Sequence, residues 1–487
     1  MKKKPNIVIF MADQWRGDYA GVAGHHFIKT PNYDRMANDG MIFSQAFTVN
    51  PICAPTRCSC CTGWYPHTRG HRNQDYLVDS NEPHLFSYLQ NAGYHIAWGG
   101  KNDMLTQQAI TDSVDTLLQL PEPGTRYGGV KDDEAAGRLI PFSVNDPEYY
   151  SFYVGKMKEP YEMQRDVQTV RSAQEFLQHP PKKPFCLWVN TTFPHPPYAA
   201  PEPFYSMYDH QKMDDPIAIT DHPGEPAYKG LIRKFARSDE YSKDHLRRMR
   251  AVYCAMTTMV DQLYGDLLIT LKEEGLYDST AVFMTSDHGN YTGDYGLPEK
   301  WFISMDDPIM RVPLAVRIPG QGKCGVSDAL VHNIDIFGTI LDLVGIDLKR
   351  PHFSRSMLPI VNGEATSIRD FVYGDAGSNL AFEEALAIER EIAKTFTPSS
   401  PYYPNPAVLR HPEAACRSLM IRDREWKYIW RQQDTDELYY LVDDPCEQIN
   451  LLALPLSEDT ARVKNSLQAA LLRWFVETGD VLLLSEL

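Results

Sequence analysis

The sequence predicts an α/β protein: a mostly parallel sheet flanked by helices, followed by a smaller C-terminal α+β part containing an antiparallel sheet. Three features carry that expectation. Four apolar runs of strand length lie between Asn6 and Ser286 and lack the polar alternation of a half-exposed strand, as strands buried on both faces should. A long segment of helical character, Leu246 to Glu274, separates the third run from the fourth. Beyond Asn362-Gly363-Glu364 the pattern changes to short strand-like runs.

In chain order, the first run, Asn6 to Met11, ends in Asp13 and Gln14. Next, Cys53 to Gly63 reads C-A-P-T-R-C-S-C-C-T-G; Pro55, with a pre-set φ and no N–H to lose, suits the first turn of a helix beginning just after Cys53. Cys53 then stands where a helix N-terminus favours anions. Taken alone, this pattern fits a reactive residue and a buried cysteine before an ordinary Pro-started helix equally well. The second run, Tyr94 to Trp98, leads into Gly99-Gly100-Lys101-Asn102-Asp103. The third, Phe185 to Asn190, leads to Phe193-Pro194-His195-Pro196-Pro197-Tyr198, and the fourth, Ala281 to Ser286, ends in Asp287-His288-Gly289. Ligands of open parallel α/β sheets bind outside the carboxyl ends of the strands. These clusters, all able to hold an oxyanion or a metal, are therefore expected to face one crevice.

Ile334 to Val344 reads as a helix near the end of a first unit, residues 1–365, which carries every candidate cluster. In a second unit, residues 366–487, the runs Phe371 to Tyr373, Ser418 to Ile421, Lys427 to Trp430 and Glu437 to Leu441 read as short antiparallel strands. Ala461 to Phe475 has apolar residues at helical spacing. Between these strands lies an insertion, residues 378–412, with a charged helical stretch and the Pro/Tyr-rich run Thr397 to Pro406. It fits an active-site loop or surface decoration.

With these residues in view, the chain resembles the sulfatase family of the alkaline-phosphatase-like superfamily, almost from end to end. Cys53, Pro55 and Arg57 match the family's C-x-P-x-R core, Gly100-Lys101 its sulfate-binding glycine-lysine, and Asp13-Gln14 and Asp287-His288 its two metal-ligand pairs. Arg311-Val312-Pro313-Leu314 and Trp426 through Tyr439 match later landmarks. The resemblance implies that Cys53 is converted to formylglycine, whose hydrated aldehyde is the nucleophile, by a separate maturation enzyme. It further implies one divalent cation held by Asp13, Gln14, Asp287 and His288 with an oxygen from residue 53. Calcium is the family's usual metal; because His288 is less typical of calcium, manganese and magnesium are the alternatives. Lys101 and Lys300 would hold the sulfate, His195 would donate to the leaving group, and Arg57 would orient the hydrate. Asn73 is a weaker substrate contact, because loop asparagines commonly serve turns. One hydroxyl of the hydrate attacks sulfur and the second allows release by C–O cleavage, where a serine would be left sulfated.

Two departures from the family pattern matter. The metal pairs are Asp-Gln and Asp-His rather than the commoner Asp-Asp and Asp-Asn, combinations also found in phosphonate monoester hydrolases and in some sulfatases of the family. Asp103 replaces a histidine that usually helps release sulfate, so either Asp103 is the base or His67 or His71 takes that part.

The composition bounds the rest. A chain of 487 residues with 43% hydrophobic content can bury a substantial core. Its net charge of −16 argues against nucleic acid and against long sulfated polymers, yet a local cluster of Lys101, Lys300 and Arg57 can hold one sulfate. The stretch after Met1-Lys2-Lys3-Lys4-Pro5 is too short for a signal peptide and no membrane span is visible, so a cytoplasmic protein without a membrane partner is expected. Nine cysteines read as mostly reduced, buried thiols, and Cys58, Cys60 and Cys61 lack the spacing of a zinc site. The expected function is a sulfatase acting on a small sulfated saccharide or aryl sulfate. The alternatives are a phosphonate monoester or phosphodiester hydrolase with the same nucleophile and, more distantly, a non-catalytic sulfated-ligand binder. The oligomeric state is left open by the sequence.

Overall fold

A computed structural model describes residues 4–118, 139–220, 222–348, 350–377 and 397–479. Fourteen strands are present among them. They are β1 (Asn6–Ala12), β2 (Met41–Phe47), β3 (His95–Gly100), β4 (Thr116–Leu117), β5 (Tyr153–Lys156), β6 (Phe185–Asn190), β7 (Tyr198–Ala200), β8 (Thr280–Ser286), β9 (Leu314–Arg317), β10 (Gly325–His332), β11 (Val372–Ala376), β12 (Ser418–Arg422), β13 (Trp426–Arg431) and β14 (Glu437–Tyr440).

Eight strands form the central sheet in the order β10-β2-β9-β8-β1-β6-β3-β4. β1 pairs in parallel with both β6 and β8, and β3 continues the parallel run beyond β6, whereas β9 is antiparallel to its neighbours β2 and β8. The four apolar runs read from the sequence are therefore adjacent, in the order β8-β1-β6-β3, with β1 at the middle. Their side chains are buried on both faces: Ile7, Ile9 and Met11 pack into one core, and Val8, Phe10 and Ala12 into the other. Absence of polar alternation in these strands follows directly from that double burial.

The Lys243–Glu273 helix covers the second face with Val252, Met256, Leu263 and Leu267, and the Ser242 side chain caps its N-terminus by accepting from the His245 backbone N–H. The opposite face is covered by the Cys53–Thr62, Leu85–Asn91 and Asp335–Val344 helices. Four strands absent from the sequence expectation complete the sheet. β2 and β10 carry Ser44, Gln45, Ser327 and Asp328 in their interiors, β9 is only four residues long and β4 only two, so none reads as a continuous apolar run.

The C-terminal sheet is antiparallel in the order β11-β12-β13-β14, with the expected runs in register. The closing helix, Glu458–Gly479, is longer than Ala461 to Phe475 and packs Leu467, Leu471 and Trp474 into the first core. Of the insertion, residues 378–396 lie outside the described residues. The remainder packs Tyr402 against Phe152, ring centroids 4.7 Å apart, and Trp301 Nε1 donates to the Ala414 carbonyl next to it at 2.6 Å. Among the described residues no helix is long and apolar enough to cross a membrane.

Candidate active site

The carboxyl ends of β1, β8, β6 and β3 and the start of the Cys53–Thr62 helix meet at one point. The helix begins as expected: Ile52 is extended, Cys53 opens the first turn, and Gly63 ends it at φ 72°. Cys53 is buried, so its thiol is pushed up, first by burial and then by Asp13, against the pull of Lys101 and Lys300. In the mature residue implied by the sequence, the Sγ atom marks where the oxygens of the hydrate would stand.

Asp13, Cys53, Asp287 and His288 bring one ligand atom each to within 4.8 Å of one another, and all four are buried. His288 Nε2 is 3.2 Å from Cys53 Sγ, while its Nδ1 faces the Gly289 carbonyl at 2.9 Å. That carbonyl can only accept, so Nδ1 carries the proton and Nε2 presents a lone pair to the cluster. Burial first of all pushes the imidazole down to about 4, keeping it neutral at physiological pH.

Both carboxylates are held from behind by cations. Asp13 Oδ2 is bonded by Lys101 Nζ, and Arg57 lies 3.6 Å away; Asp287 Oδ2 accepts from Arg57 Nε at 2.8 Å. Burial opposes ionisation of Asp13, yet Lys101, with Arg57 and other neighbours, outweighs it and holds the carboxyl far below its ordinary range. Asp287 Oδ1 is oriented by the backbone N–H groups of Gln14, at 3.0 Å, and His288, at 2.8 Å. To make that bond Gln14 adopts φ 67°, a left-handed conformation costly for a residue with a Cβ and common at functional sites. Donor chemistry fits a divalent cation: two carboxylates, a neutral imidazole and, beside them, the Gln14 amide oxygen.

Lys101 is reached through Gly100, whose φ is 92° and whose hypothetical Cβ would lie 1.8 Å from the Asn190 carbonyl. Only glycine allows β3 to approach β6 so closely there. Lys101 Nζ stands 3.5 Å from Cys53 Sγ and 3.0 Å from Asp103 Oδ2. Asp103 thus has the lysine partner that a carboxylate beside an oxyanion site requires, and 20% of its side chain remains exposed, so it borders the opening. On the other side, Lys300 Nζ donates to Gln14 Oε1 at 2.8 Å and lies 3.2 Å from His195 Nε2. Because His195 Nδ1 is 2.6 Å from the Pro196 carbonyl, Nδ1 carries the proton and Nε2 accepts from the lysine. Burial, then Lys300, holds this imidazole well below its ordinary value.

Arg57 bonds Asp287 and lies 3.6 Å from Asp13, while its Nη1 is buried without a hydrogen-bond partner. Two sequence-based assignments change. His67 is committed to Asp375 at 3.0 Å and Thr478 at 2.7 Å, and His71 to the Tyr76 carbonyl at 2.8 Å and Glu82 at 3.2 Å, so neither joins the cluster in place of Asp103. Asn73 uses its side-chain oxygen for the N–H groups of Asp75 and Tyr76, at 3.0 and 3.1 Å, as a turn asparagine does. Its neighbour Gln74 instead reaches the site, accepting from Ala54 N at 3.2 Å at the head of the Cys53–Thr62 helix.

Sequence reasoning also missed Asp166 and Asn190. Asp166 accepts from the backbone N–H of Thr192, at 2.9 Å, and of Phe193, at 2.8 Å, fixing the loop that carries His195. Asn190 Nδ2 donates to the Lys101 carbonyl at 2.9 Å. Asp166 carries no motif; its position near the start of a helix whose sequence gives no strand neighbour hides it.

The family model for sulfatases matches residues 5–346, which include every residue of this cluster. The chain belongs to the sulfatase family. As a sulfatase it is a sulfuric ester hydrolase. It is 26% identical over 494 residues to a choline-sulfatase of Rhizobium meliloti (strain 1021), covering 98% of this chain and 88% of that protein. In fold it resembles the phosphonate monoester hydrolase of Agrobacterium radiobacter, with TM-score 0.76, 23% identity and coverage of 98% and 96% of the two chains. It also resembles a protein solved with its substrate D-glucosamine-2-N,6-O-disulfate, with TM-score 0.74, 20% identity and 98% coverage of each chain.

Proposed function

We propose that this sulfatase hydrolyses the sulfate ester of a small sulfated alcohol, a saccharide first, using formylglycine derived from Cys53. One observation supports the reading: two ammonium groups stand at the ligand cluster, Lys101 Nζ bonded to Asp13 and 3.5 Å from Cys53 Sγ and Lys300 Nζ donating to Gln14 Oε1 at 2.8 Å, so two cations are available to one sulfate beside residue 53. When bound, a divalent cation, calcium or else manganese or magnesium, would lower the pKa of the residue-53 hydrate and offset charge on the sulfate. Asp13, Asp287, His288 and Gln14 would hold it. Arg57 bonds Asp287 and lies beside Asp13, which keeps the two carboxylates in position. Lys101 and Lys300 bind the nonbridging oxygens as charge develops.

Protonation of the leaving oxygen falls to the Lys300–His195 pair. His195 Nε2 accepts from Lys300, so the pair holds one proton that can be passed outward to the departing alkoxide. Asp103, beside Lys101, is the base that assists release of sulfate. Residues 1–365 form the catalytic unit and 366–487 support it.

A phosphonate monoester is also singly charged and would fit the same cradle, and Gln14 with His288 favours keeping this second reading. The experiment is a comparison of kcat/KM for 4-nitrophenyl sulfate, a sulfated monosaccharide and an aryl phosphonate monoester on matured protein. Sulfate turnover at least about tenfold above phosphonate supports the first reading. The reverse order assigns the site to phosphonates, and turnover of none of them removes both.

A further inference from the structure

The four ligands of the cluster are not all hard donors as long as residue 53 is a thiol. Cys53 Sγ lies 3.2 Å from His288 Nε2 and 3.7 Å from Asp13 Oδ1, and His288 Nε2 lies 4.0 Å from Asp13 Oδ1 and 3.8 Å from Asp287 Oδ1. A tetrahedral zinc site, with bonds of about 2.0–2.3 Å, spaces its donor atoms roughly 3.3–3.7 Å apart. Those four of the quartet's six donor–donor distances lie within a few tenths of an ångström of that arrangement, and the ligand atoms are all within 4.8 Å of one another. Its donors are already held in place: the Gly289 carbonyl aims Nε2 inward, Lys101 bonds Asp13 Oδ2, Arg57 bonds Asp287 Oδ2, and Asp287 Oδ1 accepts from the backbone N–H groups of Gln14 and His288.

We propose that the folded chain whose Cys53 has not been matured binds a thiophilic divalent cation, zinc foremost, through Cys53 Sγ, His288 Nε2, Asp13 Oδ1 and Asp287 Oδ1. The chemical state of residue 53 then decides which metal the site selects. On binding, the Cys53 S–H gives its proton to solvent and a sulfur–metal bond forms. Thiolate and imidazole favour zinc strongly over calcium, whereas an aldehyde hydrate in place of sulfur leaves a mostly oxygen site suited to hard cations. Chains that escape maturation would thus be filled with zinc and inert. This inference rests on the reading of the cluster as the metal site, but not on the identity of the substrate.

The test uses full-length protein made without a maturation enzyme, shown by mass to carry Cys53 as thiol and stripped of metal by a chelator. Cobalt(II) is titrated in as the spectroscopic probe. One equivalent should develop the near-ultraviolet sulfur-to-cobalt charge-transfer band with the strong visible bands of four-coordinate cobalt. Zinc should displace it at a concentration at least about 100-fold below that needed with calcium. Cys53→Ser, checked for folding by circular dichroism, should lose the charge-transfer band. Absence of the band in the thiol protein, its survival in Cys53→Ser, or equal displacement by calcium and zinc would each overturn the proposal. Turnover by matured protein is measured separately, so failure here leaves the sulfatase reading standing, and loss of that reading does not alter this result.

Discussion

At the residue scale, Asp103 is one of the two positions where the sequence leaves the pattern its resemblance to sulfatases implies, and its geometry is specific. Its 3.0 Å pairing with Lys101 puts a carboxylate at the edge of the oxyanion cradle without leaving it uncompensated. If it is the base for sulfate release, Asp103→Asn should form alcohol at a near-normal rate in the first turnover and then slow by about 100-fold, giving a burst in stopped-flow traces. A rise in KM without a burst would make it a binding residue instead. Most of the cluster could be read from the sequence because its residues follow apolar strands directly, as Asp13 follows β1, Lys101 follows β3 and Asp287 follows β8. The Arg57–Asp287 bond was not legible: a motif locates a side chain along the chain, while its reach across to Asp287 depends on the crossing of helix and sheet.

At the scale of elements, the loop from Thr191 to His195 hangs on Asp166, which sits in the first turn of the Arg165–Gln178 helix. Burial pushes the Asp166 carboxyl up to about 6, even though backbone N–H groups of Phe193 and Thr192 favour the ionised form. Its pKa is thus higher folded than unfolded, so this residue contributes most to stability below about pH 4 and that contribution is lost as pH rises through about 6. In urea denaturation, the stability of Asp166→Asn relative to the parent should improve by up to about 3 kcal/mol between pH 4 and pH 7, the worth of roughly two pKa units. A parallel pH dependence of the two proteins would contradict the raised value. Catalysis should respond selectively. Loss of the clamp shifts His195, so kcat/KM for alkyl sulfates, which need a proton on the leaving oxygen, should fall about tenfold while 4-nitrophenyl sulfate changes little. Equal losses for both would mean the whole site had moved. The sequence revealed the strands buried on two faces but not β2, β4, β9 and β10, since shorter strands and strands interrupted by polar residues lack the run of apolar residues on which that reading depends.

On the scale of the whole molecule, the C-terminal sheet supports the segment that leads into Cys53. Asp375 in β11 donates its backbone N–H to the Val49 carbonyl at 2.9 Å and accepts from Asn50 Nδ2 through its own carbonyl, tying that sheet to the segment that enters the Cys53–Thr62 helix. Its carboxylate is shared by Arg417 at 2.7 Å and His67 at 3.0 Å, all within the interior. Asp375→Ala would leave the arginine buried without its counter-charge and should lower stability by about 3–5 kcal/mol, read from the shift of a denaturant midpoint. A change below about 1 kcal/mol would show that the two sheets are joined by other contacts. The alternation of strands and helices made the two-part architecture legible, whereas this link joins residues more than 300 positions apart through backbone and side-chain bonds that no local pattern encodes. The central claim, that residue 53 does the chemistry once converted to an aldehyde, is tested most directly by the mass of the peptide containing Cys53 across preparations matured to different extents, plotted against sulfate-ester turnover. The account predicts turnover proportional to the aldehyde fraction and none in the all-thiol protein; full turnover from protein carrying only the thiol would contradict it.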